Sequence, residues 1–281
     1  MTDASFTRAC VIGWPIAHSR SPMIHGWWLN RYGIAGTYTR EPVKPEELAD
    51  FLGNLPGRGF VGCNVTIPHK EAAFALAHRR LPAAEAIGAA NTLWLEGETL
   101  CADSTDGEGF MANLKASTGG FSANGRLVAV LGAGGAARSI VHALLADGAA
   151  EVRVVNRTVA RAEALAQHFG PRVQAVAWDD ITRTCRDAAL VVNTTSLGMK
   201  GQGPLDFDVG SLAAGTVVAD IVYVPLITPL LAAARARGLP IVDGLGMLLH
   251  QAVPGFARWF GVRPEVTPEL RALIVADLEK A

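Results

Sequence analysis

Val128-Ala129-Val130-Leu131-Gly132-Ala133-Gly134-Gly135-Ala136-Ala137-Arg138 decides the fold of the second half of the chain. An apolar run of strand character breaks into clustered glycines, and a helical pattern follows at once. Glycines at such a break permit a tight turn and close approach to the backbone, while the first N–H groups and dipole of the helix favour a diphosphate. Gly132, Ala133, Gly134, Gly135 and Ala136 are therefore the expected phosphate turn. The third glycine of the usual fingerprint is Ala137 here, and a plain strand-to-helix turn is the alternative for the glycines taken alone. Working outward, residues 151–155 read as the next strand, with more strands expected at 190–192, 217–220 and 240–242. That is the pattern of a doubly wound α/β sheet of Rossmann type.

The strand at 151–155 ends in Asn156-Arg157-Thr158. An NAD-binding unit commonly places an acid there for the ribose hydroxyls. A carboxylate would repel a 2′-phosphate, whereas Arg157 can pair with one and Thr158 can donate a hydroxyl hydrogen bond. NADP is expected rather than NAD. Arg161, four positions on, either adds charge to the same site or is a solvated surface arginine.

Composition favours a small-molecule ligand. The chain has 281 residues, half of them apolar, and a formal charge of −1. That length suggests two domains sharing a cleft, and that charge supplies no basic face for nucleic acid or an anionic membrane. Cys10, Cys63, Cys101 and Cys185 have no metal-ligand or disulfide spacing, so buried thiols and no metal are expected. Residues 1–8 have no basic start leading into an apolar stretch, and the longest apolar region, 127–145, is interrupted by Arg138, His142 and the glycine turn. Neither a secretory signal nor a membrane span is expected, and the cytoplasm is the expected location.

The first hundred residues alternate strand-like and helix-like segments: 9–13, 22–32, 36–43, 45–55, 60–66 and 69–78, then a hairpin at 91–102 that would finish the first sheet. After a helix from Gly107 and a polar, glycine-rich stretch at 117–125, the second unit begins. Beyond Asp243 the pattern is helical, with Pro254 the expected kink and a last helix at 268–280. With no strand left to pair with, these helices are expected to return to the first domain. Residues 1–105 with 244–281 would then bind substrate and carry catalysis, and 106–243 would bind the dinucleotide.

In Gly13-Trp14-Pro15-Ile16-Ala17-His18-Ser19-Arg20-Ser21-Pro22, two hydroxyls lie two positions apart, on one side if the stretch is extended. Pro22 suits the first helical position and Ser21 the N-cap, where a carboxylate would meet donors at the positive end of a helix. A pure capping role for Ser21 is the alternative. In Gly62-Cys63-Asn64-Val65-Thr66-Ile67-Pro68-His69-Lys70, Asn64 and Thr66 share one strand face and suit sugar-like hydroxyls. Lys70 follows in a chain that prefers arginine; an ammonium can lose its proton when desolvated and a guanidinium effectively cannot. Taken alone it reads as a solvent-facing lysine on a first helical turn.

The stretches GWPIAHSRSPMIH, GCNVTIPHK, AANTLW, DSTDG, LGAGGAAR, NRTVARA, DIVYVP and GLGMLLHQA together resemble the successive signatures of shikimate dehydrogenases, in family order, from Gly13 to Ala252. The resemblance implies NADPH-dependent reduction of 3-dehydroshikimate to shikimate, in the supply of aromatic amino acids. It implies that Ser19 and Ser21 bind the substrate carboxylate, that Thr66, Asn91, Asp106 and Gln251 surround the ring hydroxyls, and that Lys70 is catalytic. Asn64 would support the site and Tyr223 contact substrate; Asn156 to Arg161 would clamp the adenosine phosphate, and Ile221 and Gly244 would lie near the nicotinamide end. Ser104, Gly26 and Leu197 depart from the family pattern without removing a residue assigned to chemistry.

Lys70 and Asp106 are expected to flank the reacting oxygen, Asp106 accepting a hydrogen bond and Lys70 donating or exchanging a proton. Asp106 as the N-cap of a helix starting at Gly107 is the alternative. Competing functions are a quinate/shikimate dehydrogenase with broader substrate or NAD use, and a non-catalytic dinucleotide sensor. A folate-linked dehydrogenase is disfavoured by the paired serines. The expected partners are small molecules only, and the protein is expected as a monomer or homodimer.

Overall fold

The computed structural model describes residues 6–280. Residues 1–5, within the stretch read above for a secretory signal, and residue 281, the last of the expected first domain, lie outside it. The chain divides into two compact units, one running up to Thr105 and resuming at Gln251, the other from Asp106 to His250.

The first unit is built on a six-stranded mixed sheet in the order β2-β1-β3-β5-β6-β4. Its elements are β1 (Thr7–Gly13), α1 (Ser21–Tyr32), β2 (Gly36–Pro42), α2 (Leu48–Gly53), β3 (Gly62–Val65), α3 (Lys70–Leu76), β4 (Arg79–Arg80), α4 (Pro82–Ile87), β5 (Thr92–Glu96) and β6 (Thr99–Asp103). β1 is parallel to β2 and β3, while β3, β5 and β6 run antiparallel in turn. The hairpin β5–β6 does not close the sheet: the two-residue β4 pairs beyond it, parallel to β6. Two arginines carry no apolar alternation, so nothing local marks them as a strand.

The second unit begins with α5 (Asp106–Thr118) and has a fully parallel sheet in the order β12-β11-β10-β7-β8-β9. Along the chain come β7 (Leu127–Leu131), α6 (Gly135–Ala146), β8 (Glu151–Asn156), α7 (Val159–Phe169), β9 (Val173–Ala177), α8 (Ile181–Cys185), β10 (Leu190–Asn193), β11 (Val217–Asp220), α9 (Pro229–Ala236), β12 (Ile241–Val242) and α10 (Gly244–His250). β7, β10 and β11 are almost wholly buried apolar runs, as strands covered on both faces must be. The order reverses between β10 and β7, the switch point at which open α/β sheets take ligands beyond their C-terminal strand ends.

The helical C-terminal region does not bend at Pro254. It breaks at Gln251 into α10 and α11 (Ala252–Phe260), with α12 (Pro268–Leu278) last. Pro254 falls in the first turn of α11, where a missing N–H costs little. α11 and α12 belong to the first unit, but α10 stays with the second, so the junction falls after His250 and not after Asp243. Packing explains this. A Cβ on Gly246 would collide with the Asn113 side chain of α5, and Asn113 Nδ2 donates to the Asp243 carbonyl at 2.8 Å. Among the described residues no helix is long and apolar enough to cross a membrane, and no cluster of three or more His, Cys, Asp or Glu could hold a metal ion. All four cysteines are buried.

Candidate active site

In the first unit the loops after β1 and β3 lie together: Trp14 N–H donates to the Ile67 carbonyl at 3.1 Å and Thr66 N–H to the Ile12 carbonyl at 3.0 Å. Gly13 makes this approach possible, since a Cβ there would stand 2.6 Å from the Thr66 methyl. These loops carry Ser19, Thr66 and Lys70, each partly exposed. Thr66 lies just past the end of β3, so it does not share a strand face with Asn64.

Ser19 and Ser21 are not related by an extended backbone either. Arg20 is α-like (φ −93°, ψ −3°) and is itself the N-cap of α1, which makes Ser21 the first helical residue and moves Pro22 to the next. The serines are linked instead by Ser21 N–H donating to Ser19 Oγ at 3.3 Å, and Arg40 Nε holds the Ser19 carbonyl at 2.7 Å. Ser21 is buried, on the helix that packs against the strand carrying Tyr38.

From Tyr38 a lattice of neutral side chains runs across the sheet. The Tyr38 hydroxyl donates to Asn64 Oδ1 at 2.6 Å, and Asn64 Nδ2 donates to the Asn91 carbonyl at 3.0 Å and Thr92 Oγ1 at 3.1 Å. Asn91 Oδ1 accepts the Thr105 N–H at 2.8 Å, while its Nδ2 reaches Thr105 Oγ1 at 3.0 Å and Gln251 Oε1 at 3.3 Å. The Thr105 hydroxyl in turn donates to the Gln251 carbonyl at 2.8 Å. Asn64, Asn91, Thr92 and Thr105 are all buried, so each must be bonded, and the bonds fix which way every amide points. Lys70 opens α3 with its backbone tied to the loop just before Asn91, its carbonyl accepting the Ala90 N–H at 2.9 Å. Of the expected site residues, Asn64, Asn91 and Gln251 are thus brought into one connected system.

Tyr38 and Thr105 are members that the sequence reading missed. Thr105 sits inside the quoted DSTDG stretch, so its signal was present. Tyr38 lies in a polar strand, Gly36-Thr37-Tyr38-Thr39-Arg40, where nothing local distinguishes it.

Behind this lattice His25 is fully buried, stacked on Tyr38 with ring centroids 3.9 Å apart, with Trp28 edge-on, Phe256 near-parallel and Trp259 tilted around it. Burial drives its pKa down to about 3, with the nearby Asn64 amide opposing the shift. Neither ring nitrogen attains hydrogen-bond geometry with a partner, so the burial effect dominates.

The second unit holds Asp106, the first residue of α5 and not the cap of a helix beginning at Gly107. Gly107 is required there because a Cβ would stand 2.7 Å from the Ser139 carbonyl of α6. In the β7–α6 turn the glycines differ in kind. Gly132 has φ +108°, and a Cβ on it would lie 2.6 Å from Thr194 Oγ1. Gly134 and Gly135 are exposed, and a Cβ on either would meet nothing within 4 Å. The protein's own packing does not require glycine there; room above the start of α6 suits an approaching diphosphate. Gly134 is the N-cap and no acidic residue occupies the first turn, so the helix end keeps its positive character.

At the end of β8, Asn156 Nδ2 donates to the Thr158 carbonyl at 2.8 Å, and Thr158 holds the N-cap position of α7 with its hydroxyl uncommitted to the helix N–H groups. Arg157, Thr158 and Arg161 are exposed, and no ion pair among the described residues engages either arginine. This donor set fits a phosphorylated ribose. Ile221 and Tyr223, partly exposed, follow β11. Gly244 is buried against the Ile221 and Val222 carbonyls, an approach that any side chain would block.

Three family models cover most of the chain: the shikimate dehydrogenase substrate binding domain at residues 11–93, shikimate/quinate 5-dehydrogenase at 114–199, and the shikimate 5′-dehydrogenase C-terminal domain at 244–273. A shikimate dehydrogenase (NADP+) of Azorhizobium caulinodans is 56% identical over 271 residues, 96% of each chain. Among solved structures, shikimate 5-dehydrogenase of Thermus thermophilus in complex with NADP(H) and shikimate superposes with a TM-score of 0.85 at 36% identity, covering 97% of this chain and 100% of that one. Quinate dehydrogenase of Corynebacterium glutamicum in complex with NAD gives 0.87 at 30%, covering 96% and 99%. With the glycine turn, the buried amide lattice and these matches along nearly its whole length, the chain belongs to the shikimate dehydrogenase family.

Proposed function

We propose that the chain reduces 3-dehydroshikimate to shikimate with NADPH, reversibly, in the formation of aromatic amino acids. The observation that carries this reading is the lattice of neutral groups from Tyr38 to Gln251 backing Ser21, in a chain whose relatives act on shikimate. A small ring acid presents one carboxylate and several hydroxyls. Neutral amides and hydroxyls held in fixed directions distinguish donors from acceptors on such a ring without favouring charge. Ser19 and Ser21 would take the carboxylate, and Asn64, Thr66, Asn91, Tyr223 and Gln251 would bind or support the ring.

NADPH, when bound, supplies the hydride. Gly132, Ala133, Gly134, Gly135 and Ala136 would hold its diphosphate, Asn156, Arg157, Thr158 and Arg161 its adenosine phosphate, and Ile221 and Gly244 would lie near its nicotinamide. As the new C–H bond forms, the carbonyl π pair moves onto oxygen, which takes a proton. Lys70 is the proposed donor of that proton, and its charge also stabilises the developing oxyanion. Asp106 accepts a hydrogen bond from the same oxygen's hydroxyl form and orients it. Residues up to Thr105 and from Gln251 form the proposed substrate unit, and the intervening residues the cofactor unit.

Loss of NADPH absorbance with 3-dehydroshikimate tests the reading directly; no turnover with this pair would overturn it. A second reading, use of quinate or NAD, is favoured by the likeness to quinate dehydrogenase and opposed by Arg157. Steady-state comparison of both acids and both cofactors separates them. The reading also puts the enzyme in the cytoplasm as a monomer or homodimer, which fractionation and light scattering check.

A further inference from the structure

Asp220 ends β11 and is only 2% exposed, yet no cation among the described residues is paired with it. Burial lifts its pKa to about 6, against the pull of hydrogen bonds from Thr228, Val222 and Asn193. A carboxyl group kept in such a place is costly unless its bonds accomplish something. Its three bonds reach the end of β10 and both ends of the connection from β11 to α9, at the C-terminal edge of the sheet. Oδ1 accepts from Asn193 Nδ2 at 3.0 Å and from the Val222 N–H at 3.0 Å; Oδ2 accepts the Thr228 hydroxyl at 2.7 Å.

Asn193 passes the constraint on. Its Oδ1 accepts both the N–H and the hydroxyl of Thr195, at 3.0 and 2.7 Å, and its Nδ2 also reaches the Leu197 carbonyl at 3.1 Å. Between these, Thr194 donates its N–H and hydroxyl to the Leu131 carbonyl at 2.8 and 2.7 Å, directly beneath the Gly132 turn. Val222 sits between Ile221 and Tyr223 and shares with Ile221 the close approach of Gly244. Thr228 caps α9 by accepting the Leu231 N–H at 3.4 Å. One carboxyl group therefore ties residues 194–197, residues 221–223 and the start of α9 to the phosphate turn.

We infer that Asp220 is a positioning residue for the cofactor, holding the segments after β10 and β11 in fixed relation to the Gly132 turn so that the nicotinamide half of NADP binds a preset surface. This rests on the NADP reading above. It predicts selectivity: loss of Asp220 should weaken contacts to the nicotinamide half and spare those at Arg157, where the adenosine phosphate is proposed to bind.

The test is calorimetric titration of the full chain with NADP+ and, separately, with 2′,5′-ADP, which carries only the adenosine-phosphate end. For Asp220→Asn the Kd for NADP+ should rise about tenfold, while that for 2′,5′-ADP stays within about twofold. Equal weakening of both ligands, or no change in either, would overturn the inference. Should Asp220→Asn fail to fold, Thr195→Val, in a partly exposed loop, removes one bond to Asn193 and should show the same selectivity at about threefold. Unchanged NADP+ affinity in that variant would also overturn the inference. A wild-type protein that binds neither ligand would sink the NADP reading and this inference together, whereas wild-type binding with unselective variants sinks the inference alone.

Discussion

In the first unit the polar groups behind the proposed substrate site are buried and already bonded to one another, whereas the second unit leaves five of the groups proposed for the cofactor phosphates exposed at strand and helix ends. Asn64 and Asn91 are at most 5% exposed, and their amides are engaged on both sides. Gly134, Gly135, Arg157, Thr158 and Arg161 are all exposed. The difference follows from the ligands proposed for each. Neutral hydroxyls are told apart only by groups whose direction is fixed, so the substrate side invests in orientation. A diphosphate and a 2′-phosphate attract any nearby donor, so the cofactor side needs access and charge.

The comparison is broken most severely at Lys70, the charged group proposed to act amid neutral ones. Lys70→Ala should lower kcat by about 10²- to 10⁴-fold while KM for 3-dehydroshikimate changes far less. Equal changes in both would assign Lys70 to binding.

Acid should act on the two units with opposite sign. Folded His25 stays neutral down to about pH 3, while the unfolded chain takes up a proton below about 6.5. Unfolding therefore gains a proton between those values. The stability that neutral His25 permits is complete above pH 6.5 and declines as pH falls through the window, by at most about 5 kcal/mol. Asp220 runs the other way: raised from 3.8 to about 6, it holds its proton in the folded state and costs stability as pH rises between those values. Urea unfolding from pH 4 to 7 should show His25→Phe, which keeps an aromatic ring against Tyr38, with a weaker loss on the acid side than the parent. An identical pH profile would remove His25 from the account.

On the exposed side, Arg157→Ala should weaken NADPH by about 10- to 100-fold, with NADH little affected, because a charge-assisted pair to the 2′-phosphate is lost. Parallel losses with both cofactors would place Arg157 elsewhere. Arg161→Ala is the mildest change, about twofold to fivefold in NADPH affinity if it contributes charge, and none if it is simply a solvated arginine.

Much of this was legible because it is local. The β7 strand, the glycine turn and α6 follow from hydrophobic period and turn chemistry, and the arginine after β8 follows from its place in that pattern. The return of the last two helices to the first unit was also readable, from the absence of a strand to pair with them. Local rules failed where a neighbour distant in sequence decided the outcome. α10 looked like the start of the returning helices, but Gly246 against Asn113 keeps it with the second unit. The serines looked extended, but Arg20 turns the chain into α1. β4 had no pattern of its own and exists because β6 offered an open edge.

The sequence by itself determined the parallel sheet, the glycine turn between β7 and α6 and the preference for a phosphorylated cofactor, since spacing along one strand or helix expresses each of them, whereas the roles proposed for Lys70 and Asp106 follow from the family resemblance. Only the tertiary structure decided that Asn91 meets Gln251, that Tyr38 meets Asn64, and that a lone carboxyl at Asp220 ties together the ends of β10 and β11. A neutral side chain carries no mark of its eventual partner. Its hydrogen bonds are chosen when separate stretches of chain are buried side by side and every polar atom between them must be satisfied.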